Sequence, residues 1–194
     1  MAAFEAFFRD LDAAWDSRPL TLHLIGAAAL MLQTDYRRGT KDSDVLETRS
    51  LAKADKERLL ELGGQGTTLS AQHRLYIDVV GNGIPFLPHG PRFVACDVLN
   101  RNLRVLRVEV LEVVDLVVSK LKRFHANDQS DVAAMIELGL VPHDRFIERF
   151  RSAVDAFSMD ARATELPTYL ARLHRVERDI FGVALSNIDL PDWG

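Results

Sequence analysis

The sequence predicts a mixed α/β half followed by an all-helical half, with a soft boundary near Leu111 and no obvious flexible linker. Two observations predict it. Strand-like segments at Leu20–Ile25, Lys41–Glu47 and Leu75–Val80 alternate with helically spaced segments in the first half. From Asp144 to about Phe181 only helical spacing recurs. A chain of 194 residues is long enough for one good core, or a core domain with a helical appendage.

Phe4, Phe7, Phe8, Leu11 and Trp15 recur at helical spacing, and Ser17-Arg18-Pro19 ends that helix because the residue before proline is pushed out of the helical region. Leu20–Ile25 is the first strand, and Gly26 marks the turn into a helix to about Gln33. Tyr36–Gly39 is a polar connection to a second strand, Lys41–Glu47, which is followed by a charged helix over Leu51–Leu62. Gly63-Gly64-Gln65-Gly66 then reads as a C-cap and flexible loop rather than a phosphate cradle, since no strand precedes it and no Gly-Lys-Ser/Thr follows. Leu75–Val80 is a third strand, broken by Gly81-Asn82-Gly83-Ile84-Pro85.

Arg92–Leu99 and Leu103–Val110 form a hairpin around Asn100-Arg101-Asn102, because both arms are rich in β-branched residues and the link is short and polar. A helix from Leu111 to Phe124 follows. Another is N-capped by Asn127, carries Asp128 and Asp131 in its first turn where acids favour the macrodipole, and ends at Gly139. The helical pattern from Asp144 is interrupted near Ser158 and at Pro167, and Ser186–Gly194 is irregular.

Hydrophobic and charged fractions of 47% and 27% are those of an ordinary soluble globular protein. The first ten residues lack the basic region and apolar run of a signal peptide, and no apolar stretch approaches membrane-spanning length. The expectation is a cytoplasmic protein with no membrane partner. The single cysteine, Cys96, excludes an intramolecular disulfide and a multi-cysteine zinc site, and reads as a small buried residue on a strand. A net charge of −4 argues against a protein coated in basic patches. Locally, six basic residues from Arg101 to Arg123 outnumber three acids, a pattern that more often marks a solvated face than an RNA groove.

The chemistry-bearing residues are carboxylates. Asp42 and Asp44 alternate on the second strand, so they point the same way with Cα atoms roughly 6.5–7 Å apart, and two carboxylates on one face can share divalent ions. Asp78 sits inside an apolar strand pattern, where an unpaired charge is costly to bury, so it needs a metal or a structural ion pair. The six histidines are scattered, and His23 reads as a core or edge histidine rather than a catalyst.

With Gly26-Ala27 at a strand-to-helix turn, Asp42-x-Asp44 on the next strand and Asp78 on a later one, the chain resembles the nucleotidyltransferase superfamily. Arg38-x-Thr40-x-Asp42-x-Asp44 is similar to the Arg-x-Thr-x-Asp-x-Asp pattern of the AbiEii-type and MenT-like bacterial members. Ser119-Lys120-Leu121-Lys122-Arg123 and Asn127-Asp128-Gln129-Ser130-Asp131 are similar to their Lys-Leu-x-x-Arg and Arg-Asp-x-x-Asp elements. Two departures are Ala27, where those proteins usually carry Gly or Ser, and Asn127, where Arg is common. The likeness runs from about Leu20 to Leu140.

The resemblance implies a mixed β-sheet flanked by helices, with a catalytic core over residues 1–110 and a helical region over 111–194 packed against it. It implies Mg2+, or Mn2+ in its place, held by Asp42, Asp44 and Asp78, and a nucleoside triphosphate as co-substrate. Gly26 and Ala27 would offer backbone N–H groups to the triphosphate, and Lys120 and Arg38 would balance its charge. Thr40, Arg123, Asp128 and Asp131 complete the implied binding set, although acids in a first helical turn need no ligand. As an exposed helical lysine, Lys120 should contribute less than about 0.5 kcal/mol to stability.

The expected activity is transfer of a nucleoside monophosphate to a tRNA or protein acceptor, as the toxin of a toxin–antitoxin or phage-defence pair with a cognate antitoxin. The alternatives are an inactive antitoxin-like or regulatory nucleotide-binding module, and an aminoglycoside-type small-molecule adenylyltransferase.

Overall fold

The computed structural model describes residues 2–159 and 161–190. They divide into two compact units, one running to Ile84 and including Phe93–Leu111, the other formed by Pro85–Arg92 and the chain from Glu112 onward.

The first unit opens with helix α1 (Ala2–Ala14), whose Phe4, Phe7, Phe8 and Leu11 are buried as their spacing predicts. Trp15 closes the turn after it by donating its indole N–H to the Arg18 carbonyl at 2.8 Å. Strands β1 (Leu20–Ile25) and β2 (Asp42–Glu47) flank α2 (Gly26–Gln33), while α3 (Lys53–Gly63) and α4 (Thr68–His73) precede β3 (Tyr76–Gly81). Gly64 caps α3 by donating its N–H to the Leu60 carbonyl. The short α4 falls in a stretch to which the sequence assigned no element. Thr67 caps it by accepting from Ser70 N, and it buries none of its residues, so it leaves no apolar periodicity to read.

β4 (Phe93–Ala95) and β5 (Leu106–Leu111) pair antiparallel, but the expected tight hairpin is replaced by a longer link containing the short helix α5 (Asp97–Asn100). Asn100, expected in the turn, instead bonds Val108 through both its amide nitrogen and its carbonyl oxygen. Cys96 is buried, but it heads α5 rather than lying in a strand.

The sheet order is β3-β2-β1-β5-β4, with β2–β3 and β1–β5 parallel and β1–β2 and β4–β5 antiparallel. Strand alternation and register divide it into two faces. One carries Leu20, Leu22, Leu24, Val45, Ile77, Leu106, Val108 and Val110, all buried. Gly63 lets α3 close on this face, since a Cβ there would meet Leu11, Ile77 and Phe7 within 3.5 Å. The other face carries Thr21, His23, Asp42, Asp44, Tyr76, Asp78, Arg107 and Glu109, interspersed with buried Ile25, Leu46 and Leu111. Asp12, buried on α1, accepts from the backbone N–H groups of Arg104, Val105 and Leu106 at 3.0, 2.9 and 2.7 Å and so fixes the start of β5.

The second unit contains α6 (Val113–Lys120), α7 (Ala126–Glu137), α8 (His143–Phe157) and α9 (Leu166–Val176). The helix expected over Leu111–Phe124 is shorter because Leu111 still belongs to β5 and Phe124 adopts a left-handed φ of +53°. The cap of α7 is His125 rather than Asn127, because the Asp128 carboxylate reaches back to His125 N at 3.3 Å and pulls the helix start forward. Gly139, at φ +70°, follows its last turn as expected.

Pro167 does not interrupt a helix but starts α9, in the first turn where its missing N–H costs nothing. A π-helical turn over Glu177–Phe181 extends it. Of the expected irregular tail, residues 186–190 are irregular and 191–194 lie outside the described residues. Phe86 packs against Phe150, Phe157 and Tyr169, and Arg149 grips Asp115 bidentately at 2.6 and 2.7 Å. Among the described residues no helix is long and apolar enough to cross a membrane.

Candidate functional site

β1 ends at Ile25 and the chain turns at Gly26, whose φ of +73° favours glycine. The position is constrained a second time, because a Cβ built there would lie 2.4 Å from Asp44 Oδ2. The Asp44 carboxylate therefore rests directly over the start of α2. No side chain caps that start at Ile25, and Ala27 is buried in the first turn.

The β2–β3 register sets Asp42 beside Tyr76 and Asp44 beside Asp78, so the three carboxylates share one sheet face. Thr40 donates its hydroxyl hydrogen to Asp42 Oδ1, which orients that side chain from the connection preceding β2. Arg38, half-buried, lies two residues earlier in the same connection. The Tyr76 phenol is pushed up from its ordinary value, first by burial and then by the charges of Asp42, Asp78 and Asp44. All three acids thus lie close enough to the Tyr76 phenol for their charges to act on it. Their oxygens are hard donors of the kind Mg2+ or Mn2+ takes, with positions left for substrate phosphate.

The carboxylates do not close on one point. Among the described residues, no three His, Cys, Asp or Glu side chains draw together tightly enough to hold a metal ion. Asp78 is exposed rather than buried among its apolar neighbours, and its Oδ1 accepts from the next backbone N–H, that of Val79, at 2.8 Å. Beside it lies a cavity of about 320 Å³ lined by Leu60, Gly64, Gln65, Tyr76, Ile77 and Asp78.

The remaining expected residues lie in the second unit and form a compact charge network. Lys120 is 6% exposed, with Nζ 3.2 Å from Asp128 Oδ1 and 2.6 Å from Asp131 Oδ2. Asp128 and Asp131 are buried as well, and Arg123 approaches Asp128 at 3.8 Å from an exposed position. Lys120 is therefore not the exposed lysine expected from its neighbours. It also drops out of the basic run from Arg101 to Arg123, which to that extent is not a surface feature.

Sequence reasoning passed over Tyr76, although its spacing of two from Asp78 already put both on one face. It also set aside His23, whose Nε2 is 3.3 Å from Glu109 Oε2 and whose ring packs edge-on against Phe93. His23 and Glu109 are register partners and line, with Arg18, Thr21 and Ser50 among others, a second cavity of about 330 Å³. No local spacing could have joined residues so far apart in the chain.

No curated protein and no solved structure matches the chain. A family model does match, over residues 3–165, which take in the whole sheet, α2 to α8 and all of α1 but its first residue. The glycine turn, the alternating aspartates and the third acid on the parallel neighbour all fall within that span, and the chain belongs to the family described as nucleotidyltransferase of unknown function (DUF6036).

Proposed function

We propose that the protein transfers a nucleoside monophosphate from a nucleoside triphosphate to a macromolecular acceptor, tRNA or protein, using Mg2+ or Mn2+ at Asp42, Asp44 and Asp78. The observation that carries this is the placement of three carboxylates on one sheet face with Asp44 resting on the glycine turn that opens α2. When bound, the metal would neutralise phosphate charge and align the attacking oxygen. Gly26 and Ala27 present backbone N–H groups at a helix start to the triphosphate. Thr40 holds Asp42 in orientation, Arg38 supplies a forked cation from the same connection, and Asp78 stands on the acceptor side.

Lys120, Asp128, Asp131 and Arg123 act as the support of the second unit, with Lys120 held in place by its two acids. The motif Arg38-x-Thr40-x-Asp42-x-Asp44 supports the finer assignment to AbiEii-type and MenT-like enzymes, and with it the role of a toxin neutralised by a cognate antitoxin. The test is incubation of the protein with each α-phosphate-labelled nucleoside triphosphate, Mg2+ and a cell extract. Label should pass to an acceptor, and Asp42→Asn should lower transfer by about 10²-fold or more with an unchanged thermal melt. Absence of transfer with every triphosphate, or full activity in the variant, would sink the proposal.

A further inference from the structure

β3 lies at one end of the sheet, and its outer side carries an amide whose partner is a neighbouring side chain rather than a strand. Tyr76 donates its N–H inward, to the Lys41 carbonyl at 2.8 Å. Amide direction alternates along a strand, so the N–H groups of Ile77 and Val79 face the outer edge. Ile77 meets Gly64 there in a single parallel bridge. Val79 N–H instead donates to Asp78 Oδ1 at 2.8 Å, so the third carboxylate is spent on an edge amide.

That edge borders the cavity of about 320 Å³, whose lining residues are an acid (Asp78), a tyrosine (Tyr76), a glutamine (Gln65), Leu60, Gly64 and Ile77, with no basic residue among them. Beyond the metal at the three acids, an acceptor phosphate entering it would meet no basic side chain. A peptide backbone and a hydroxyl side chain would meet an edge amide and acceptor oxygens.

We propose that the acceptor is an extended polypeptide that adds along the outer edge of β3 and places a side-chain hydroxyl in this cavity. One of its backbone carbonyls takes the Val79 N–H and releases Asp78 towards Asp44. The mode is strand addition, in which main-chain bonds hold the peptide and a pocket selects the side chain. The inference rests on the nucleotidyltransferase assignment above.

In the step it serves, the hydroxyl oxygen forms a bond to the α-phosphorus of the triphosphate. The bond from that phosphorus to the bridging oxygen breaks, pyrophosphate leaves with the electron pair, and the hydroxyl proton passes to solvent. Asp78 is freed only when an acceptor is in place, which protects the triphosphate from water.

The experiment splits the labelled products of the extract reaction by ribonuclease or protease. The label should survive ribonuclease and be released by protease. Val79→Pro removes the edge N–H at a position where strands tolerate proline. It should lower labelling of extract protein about tenfold, the loss of one edge hydrogen bond. The same variant should bind Mg2+ more tightly than wild type in calorimetry with a non-hydrolysable triphosphate and no acceptor. Gln65→Trp fills the cavity from an exposed loop position and covers the case in which the proline variant fails to fold. It too should label protein about tenfold less, with triphosphate affinity unchanged.

Label in RNA or in a small metabolite would overturn the polypeptide acceptor while leaving the transferase standing. Wild-type labelling by either folded variant would do the same. Label nowhere would remove both.

Discussion

Lys120 shows how far a residue's role can depart from its appearance in the chain. A lysine near a helix end reads as solvated, yet its ammonium is shared by two buried carboxylates. Removing one member of a buried charge network leaves the others uncompensated, at a cost of about 3–5 kcal/mol. Lys120→Ala should therefore melt far below wild type in a urea or thermal titration. Lys122→Ala, which gives up a contact over the Phe157 ring at 5.9 Å, should lose no more than about 1 kcal/mol. Equal stability of the two variants would remove the network from the account of the fold. Neither Asp128 nor Asp131 lies within one helical turn of Lys120 in the chain, so the pattern of spacing offered no pairing to read.

Among the elements, the turn from β1 into α2 is held most narrowly. Gly26→Ala would force a side chain into left-handed backbone, at about 1–3 kcal/mol, and would also drive its Cβ against the Asp44 carboxylate. The expected outcome is a folded but less stable protein that binds Mg2+ and triphosphate poorly, measured by calorimetry beside a thermal melt. Normal binding would show that Asp44 does not need its perch on the turn. This element was legible from Leu20 onward, because six alternating residues ended at a glycine and the structure keeps those bounds. Elements without a buried stripe were not legible, as α4 shows. Asn127 misled for a different reason: cap preference is local, whereas the start of α7 is set by the Asp128 side chain reaching back to His125 N.

At the scale of the whole molecule, each unit contains a buried carboxylate whose stability contribution depends on its charge. Burial pushes Asp12 up, but the backbone donors of Leu106, Arg104 and Val105, together with the Arg104 charge, outweigh it and leave the group below its ordinary value. Glu177 in the second unit is also raised by burial, and more than offset by the hydroxyl and amide of Ser186 and by His143. A depressed folded-state value adds stability above the unfolded value, near pH 4 for these groups, and that stability is lost as pH falls through the folded value. Denaturant midpoints should hold steady from about pH 7 to 5 and drop below about pH 4, and Asp12→Asn should flatten part of the drop. An acid limb unchanged in that variant would assign the loss to other groups.

The central strand has consequences for how the chain is made. β1 takes β2 on one side soon after it emerges, but its other partner begins at Leu106, the register mate of Leu20. Those two positions are 86 residues apart (106 − 20). At synthesis rates of about 5–20 residues per second, the middle of the sheet waits roughly 4–17 s with an unpaired hydrogen-bonding edge. The carboxylate ladder of β2 and β3 is already translated by then, so a newborn chain carries its acids before it has a closed sheet to hold them.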